Sequence, residues 1–226
     1  MSASNGHSDL AKLLLRYSKQ IQKEDFKLAL KDKNYTQETL IDMLSHDVAP
    51  TRRAAAYSLG IFSGMGAVKP LIESLQHEDF GLRSNAERAL WAIWFRSGNE
   101  SVDALLKEGA RCIKDERYDD AIEKLTAAIQ AAPNFAEGHN QRAIAYFMLE
   151  QWDKSIEDCE RAIALNPYHF GAFAGLGHCY LRLGHLRQAI DAYQRALQLN
   201  PNLYAIAETI LQIQEALQEH IGGEQN

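Results

Sequence analysis

From Val102 onward, apolar and small positions recur at helical spacing, and the whole pattern returns every 34 residues. Pro133, Pro167 and Pro201 mark the period, and three copies lie in step at 102–135, 136–169 and 170–203. Their eighth residues are Gly109, Ala143 and Gly177, and their eleventh are Cys112, Tyr146 and Tyr180. Their twentieth are Ala121, Ser155 and Ala189, and their twenty-seventh are Ala128, Ala162 and Ala196. A repeat of this length predicts stacked helical units, each burying its apolar face against its neighbours. Asn166-Pro167 and Asn200-Pro201 end the second helix of their copies, because proline disfavours helical geometry in the residue before it. Glycine inside a helix costs about 1 kcal/mol relative to alanine. Gly109 and Gly177 therefore predict a neighbouring backbone too close for a β-carbon, with Ala121, Ser155 and Ala189 facing that column of positions. Tyr146 and Tyr180 are expected to fill the gaps between units.

A second periodicity lies upstream. Arg52 and Arg83 are 31 residues apart, and Leu44/Leu75, Ala55/Ala86 and Leu59/Leu90 keep the same offset. Each unit reads as an apolar helix, a turn with Asp47 or Asp79, an arginine and an alanine-rich helix. Leu10, Leu13, Leu14, Tyr17 and Ile21 have the spacing of an amphipathic helix, and a short helix is expected over Phe26 to Leu30. Residues 1–8 read as a mobile tail. Ser97-Gly98-Asn99 reads as a helix stop and a new start, where the repeat type changes. Trp91, Trp94 and Phe95 stand just before it, either as glue between two stacks or as an exposed patch. A last helix is expected over 203–220, polar along Glu208, Gln212, Glu215, Gln218 and Glu219, with the residues from Gly222 fraying. No strand pattern appears.

The 34-residue copies resemble the tetratricopeptide repeat (TPR), a helix–turn–helix unit, over nearly half the chain. The first copy departs most, with Glu108 and Cys112 where the third has Leu176 and Tyr180. The 31-residue units resemble HEAT repeats, in particular those of phycobilisome-lyase-type proteins. That resemblance implies structural roles for Asp47, Arg52, Asp79 and Arg83. The fold expected is all-α: a HEAT-like helical stack over 9–98 continuing into a three-unit TPR solenoid over 99–226.

Composition narrows the function classes. The chain has 226 residues, and its net charge of −6 gives no global attraction to nucleic acid or anionic lipid. No apolar run approaches the roughly 20 residues of a membrane span. Cys112, Cys159 and Cys179 all fall inside repeat helices, so they read as buried thiols of a protein kept in a reducing cytoplasm. Gly60, Gly64, Gly66 and Lys69 lack the spacing of a phosphate-binding loop, and His178-Cys179 point about 100° apart on a helix and cannot jointly clamp a metal. The expectation is no enzyme, no cofactor and no metal site.

What remains is surface. The TPR resemblance implies a concave groove lined by the first helices of successive units. Matched position by position, it comprises Asp103, Leu106, Lys107, Ala110 and Lys114 in the first unit. The second supplies Glu137, Asn140, Gln141, Ile144, Phe147 and Met148, and the third Gly171, Ala174, Gly175, His178, Leu181 and Arg182. Asn140 and Gln141 are expected to bond a ligand backbone, and Phe147, Met148 and Leu181 to make apolar contacts, with Ile144, His178 and Arg182 beside them. The family's dicarboxylate clamp for acidic chaperone C-termini needs cations and amides at five places that here hold Leu106, Ala110, Gln141, Gly171 and Gly175. The expectation is therefore a protein–protein adaptor that takes a peptide or helix in its groove and does not bind acidic chaperone tails. Handling of bilin pigments through the HEAT-like units is the alternative, and nucleic-acid binding is a third reading that the acidic balance disfavours.

Overall fold

The computed structural model describes residues 9–13 and 23–223, and every regular element among them is helical. The expected tail and the positions Leu14, Tyr17 and Ile21 lie outside the described residues. The chain divides after Trp94 into two compact units.

The N-terminal unit contains α1 (Lys23–Asp32), α2 (Gln37–Asp42), α3 (Ala49–Phe62), α4 (Val68–Ser74) and α5 (Phe80–Trp94). Short 3₁₀ turns at Met43–Ser45 and Met65–Ala67 extend α2 and lead into α4. The 31-residue period reappears as a repeated clasp. Arg52 Nη1 donates to the carbonyls of His46 and Asp47 at 2.7 and 2.9 Å. Arg83 Nη1 donates to those of His77 and Glu78 at 2.9 and 2.8 Å. Asp79 ties one unit to the next: Oδ1 caps α5 through the amides of Gly81 and Leu82 and also accepts from Arg53 Nε at 2.9 Å. A close backbone approach does occur here, at Gly60, where an added β-carbon would lie 2.7 Å from Ala89 Cα. Trp94 is buried, with the ring of Trp91 edge-on to it at 5.2 Å.

The C-terminal unit contains α6 (Glu100–Lys114), α7 (Tyr118–Ala131), α8 (Ala136–Met148), α9 (Trp152–Leu165), α10 (Phe170–Arg182), α11 (Leu186–Leu199) and α12 (Tyr204–Gly223). Gly98 turns the chain at φ +85°, and the Asn99 side chain caps α6 through the amides of Ser101 and Val102. The helices pair as α6/α7, α8/α9 and α10/α11, and α12 covers the last pair. Each first helix ends in the same way. Glu116, Glu150 and Gly184 sit 34 residues apart at φ of +58°, +59° and +74°. The amides just after them bond back to Cys112, Tyr146 and Tyr180 at 2.9 Å each. This left-handed cap turns the chain into the second helix. The asparagines before Pro167 and Pro201 do more than precede a proline: their Oδ1 atoms accept from the amides of Tyr168 and Asn202 and shape the interunit turn.

Two expectations about packing change. The neighbours crowding Gly109 and Gly177 are side chains, not backbone. An added β-carbon would lie 2.5 Å from Leu125 Cγ in one case and 2.5 Å from Tyr193 Cδ1 in the other. Leu125 and Tyr193 are the twenty-fourth residues of their copies, so one large side chain on each second helix presses on the glycine of its own first helix. The final helix extends through Gly223, beyond the expected end at 220. It buries Ile206, Ile210 and Ile213 against Ala189 and Tyr193, while Glu208, Gln212 and Glu215 face solvent.

Candidate functional site

The second copy differs from its neighbours where it matters for a site. Its twenty-fourth residue is Cys159, where the first has Leu125 and the third Tyr193. Its eighth is Ala143, and the facing positions hold Ser155 and Gly175. Three small side chains and a glycine leave a void where Leu125 and Tyr193 crowd the first helix in the other copies. A cavity of about 140 Å³ opens there, lined by Asn140, Ala143, Ile144, Phe147, Ser155, Cys159, Gly175 and His178. Its wall is mostly apolar. Burial pushes the Cys159 thiol well above its usual range, so it presents a neutral sulfur, not a thiolate. Ile144 is exposed at the rim and Met148 lies one turn beyond it, 37% and 47% accessible.

The rim is ordered by aromatic contacts. The Phe147 ring meets Trp152 at 4.9 Å and His178 at 6.1 Å. His178 Nδ1 lies 2.7 Å from the hydroxyl of Tyr193. Burial lowers the His178 pKa below its ordinary value and raises that of Tyr193 to about 12, so at neutral pH the hydroxyl donates to an uncharged imidazole. Arg182 places its guanidinium 5.6 Å above the Trp152 ring.

α8 also carries a buried polar network, which Asn140 shares with the cavity wall. The Glu137 carboxylate is fully buried and accepts from Gln141 Nε2 at 2.6 Å, Asn140 Nδ2 at 3.3 Å and His169 Nε2 at 2.7 Å. His169 Nδ1 accepts from the Ala172 amide, which assigns the ring proton to Nε2 and turns it toward Glu137. On the other side of α8, Asp158 takes Arg142 Nε and Nη2 at 2.7 and 2.9 Å and His139 Nδ1 at 3.0 Å, while Arg142 Nη1 reaches Thr126 at 3.0 Å. Burial acts to raise the Asp158 pKa, but the Arg142 bonds and then His139 outweigh it and hold the carboxyl below its ordinary range.

Of the expected groove residues, the structure brings Asn140, Ile144, Phe147, Gly175 and His178 together around the cavity. Met148 and Arg182 are exposed near it on the same helix faces, at the ends of α8 and α10. Leu181 instead packs into the core beneath α12. Gln141 is buried, and the amide nitrogens of Asn140 and Gln141 are committed to Glu137. Sequence reasoning set Glu137 on the groove but missed its burial against His169, and it missed Asp158 with Arg142 and His139. A signal existed: the thirty-fourth residue is His169 where the other copies have Phe135 and Leu203, and the fourth is His139 where they have Leu105 and Phe173. A larger hollow of about 440 Å³ in the N-terminal unit, lined by Lys33, Tyr35, Asp42 and His46 among others, contains none of the expected site residues. Among the described residues, no cluster of three or more histidine, cysteine or acidic side chains could hold a metal, and no helix is long and apolar enough to cross a membrane.

With this geometry in place, the comparisons with known proteins are direct. The Tetratricopeptide repeat family model matches residues 136–169 and 171–203. These residues are tetratricopeptide repeats, and the unit that carries the cavity is a TPR domain. A TPR repeat-containing protein of Rhizobium etli is 28% identical over 124 residues, 55% of this chain and 61% of that protein. Human RNA polymerase II-associated protein 3 is 28% identical over 147 residues, 65% of this chain and 20% of that protein. The chain thus spans between a fifth and about three fifths of these two relatives. Among solved structures, the first TPR of Spaghetti (RPAP3) bound to the HSP90 peptide SRMEEVD is 30% identical, with a TM-score of 0.51, covering 53% of this chain and 94% of that one.

That structure corrects one expectation. A similar TPR domain carries an acidic chaperone peptide, so the exclusion of such tails from the list of partners does not stand. The five clamp positions describe one way in which a groove can hold a carboxylate. Leu106 is buried and Gln141 is engaged with Glu137, so those places offer no cation here. Loss of one clamp geometry removes one way of holding carboxylates, not every way.

Proposed function

We propose that the chain is a non-catalytic adaptor that holds an extended peptide along the first helices of its TPR units, with α8 and α10 as the central contact. The single observation that carries this is the apolar cavity beneath the exposed Ile144, next to the exposed Met148, in a unit whose other two repeats are filled. An open apolar hollow with a few polar groups at its edge suits one peptide side chain. Acidic C-terminal peptides belong among the candidate ligands, because a domain 30% identical is solved with one. The HEAT-like character of the N-terminal hairpins is part of the proposal, supported by the Arg52 and Arg83 clasps. So is a cytoplasmic setting, which three buried free thiols suit. No observation favours the bilin-handling alternative.

The test is fluorescence anisotropy with labelled SRMEEVD and the full chain. Cys159→Leu places methyl groups in the cavity, and Ile144→Glu puts a charge at its rim. Both are expected to lower affinity at least tenfold while the helical circular dichroism is unchanged. Leu181→Glu is unsuitable, since Leu181 supports the core beneath α12. Unchanged affinity in both variants would move the binding face elsewhere.

A further inference from the structure

We propose that the groove selects an acidic segment centred on one apolar side chain, with carboxylates about three residues to either side. The proposal rests on the reading of α8 and α10 as the binding face. Lys114, Met148 and Arg182 are the thirteenth residues of three successive copies, and Ala110, Ile144 and His178 are the ninth. The repeat register sets these six in two parallel rows on the first helices α6, α8 and α10. The chain as a whole carries a charge of −6, yet these rows contain no acid and have a cation at each end of the thirteenth-position row.

Four acids near these rows by register are paired or bonded within the chain. Glu137 is buried under three donors, and Asp103 accepts from the amide and hydroxyl of Ser97 at 2.7 and 2.6 Å. Glu108 and Asp115 lie 4.0 and 3.7 Å from Arg111 and Arg117, and Glu116 and Glu150 stand exposed past the helix ends, in the left-handed turns. Arg182 is steadied over Trp152, which orients the guanidinium and leaves its hydrogen-bond donors available. At the centre, Met148 and Ile144 are exposed and the cavity lies beneath. Charge at both ends and apolar surface in the middle complement a ligand of the opposite order: acid, apolar, acid. Packed helices lie roughly 8–10 Å apart, and an extended chain rises about 3.3 Å per residue. One helix spacing therefore corresponds to about three residues, which sets the spacing of the ligand's carboxylates from its apolar centre.

The experiment uses synthetic nine-residue peptides with methionine at the centre and aspartate three residues to each side, measured by calorimetry against the full chain. Companion peptides replace both aspartates by asparagine, or the methionine by alanine. The proposal expects the acidic peptide to bind about tenfold more tightly than the neutral one, with an affinity that falls as salt rises. It expects a similar loss on replacing methionine. Lys114→Glu combined with Arg182→Glu, both at exposed positions, should reverse the preference between acidic and neutral peptides. Equal binding of both peptides, or a double variant that keeps the preference, overturns this proposal while leaving the groove as a peptide site. Absence of binding by every peptide, SRMEEVD included, overturns both.

Discussion

The Asp158 cluster lets the packing of the TPR units be tested quantitatively. Asp158 on α9 accepts three charge-assisted hydrogen bonds, two from Arg142 and one from His139 on α8, and Arg142 goes on to Thr126 on α7. The carboxylate therefore joins three helices from two copies. Its side chain is 7% exposed and that of Arg142 19%, so solvent screens the pair little. Asp158→Asn keeps the shape and one acceptor but turns an amide toward the guanidinium. Hydrogen bonds to charged groups are worth about 1.5–3 kcal/mol each, and breaking a buried pair costs roughly 3–5 kcal/mol. With one acceptor retained, the expected loss is about 3 kcal/mol at pH 7, read from urea unfolding of the full chain. The pH dependence follows from the depressed pKa. A carboxyl whose folded value lies below its unfolded one, about 3.9, contributes its full stability above that unfolded value. The contribution is lost as pH falls through the folded value. The gap between wild type and Asp158→Asn should thus be constant from pH 7 to 5 and close below about pH 4. A loss under 1 kcal/mol, or a gap that persists in acid, would refute the reasoning.

Other outcomes follow from the same contacts. Cys159→Leu should raise stability by about 1 kcal/mol, by filling roughly 50 Å³ of void at about 24 cal/mol per Å³; a lower melting temperature would mean that the cavity walls cannot accept a branched side chain. Gly177→Ala should cost about 1–3 kcal/mol, because its β-carbon meets the Tyr193 ring, which is itself fully buried. Glu150→Gly and Glu116→Gly should each stabilise by up to about 1 kcal/mol through relief of the left-handed backbone, to be checked by thermal melts. Asp79→Ala should destabilise the N-terminal unit by about 2–3 kcal/mol, because it removes the cap of α5 and the link to Arg53 together.

The helical fold was legible because the 34-residue period ties each helix to a position, and Pro167, Pro201 and the small residues at the twentieth place all fall where the pairs demand them. The left-handed turns were less visible: only Gly184 advertises one, while Glu116 and Glu150 take the same conformation, closed by the amides of Arg117 and Gln151 on Cys112 and Tyr146. Glycine crowding was legible as crowding but not as its cause, since a sequence does not show whether a side chain or a backbone fills the space. The cavity itself was written in the twenty-fourth column, Leu125, Cys159, Tyr193, as a missing volume. Five of its eight lining residues, Asn140, Ile144, Phe147, Gly175 and His178, were reached by register alone. Asn140 and Gln141 show where register stops helping. It places an amide near a groove but cannot reveal a buried carboxylate such as Glu137 that claims its hydrogens.

The most direct measurement is an amide chemical-shift map of the isotopically labelled full chain during titration with SRMEEVD. The account predicts that the largest changes cluster on the groove faces of α8 and α10, at Ile144, Met148, Gly175 and His178, with saturation at a common affinity. Changes confined to the N-terminal hairpins or to the outer face of α12, with those four residues still, would contradict it.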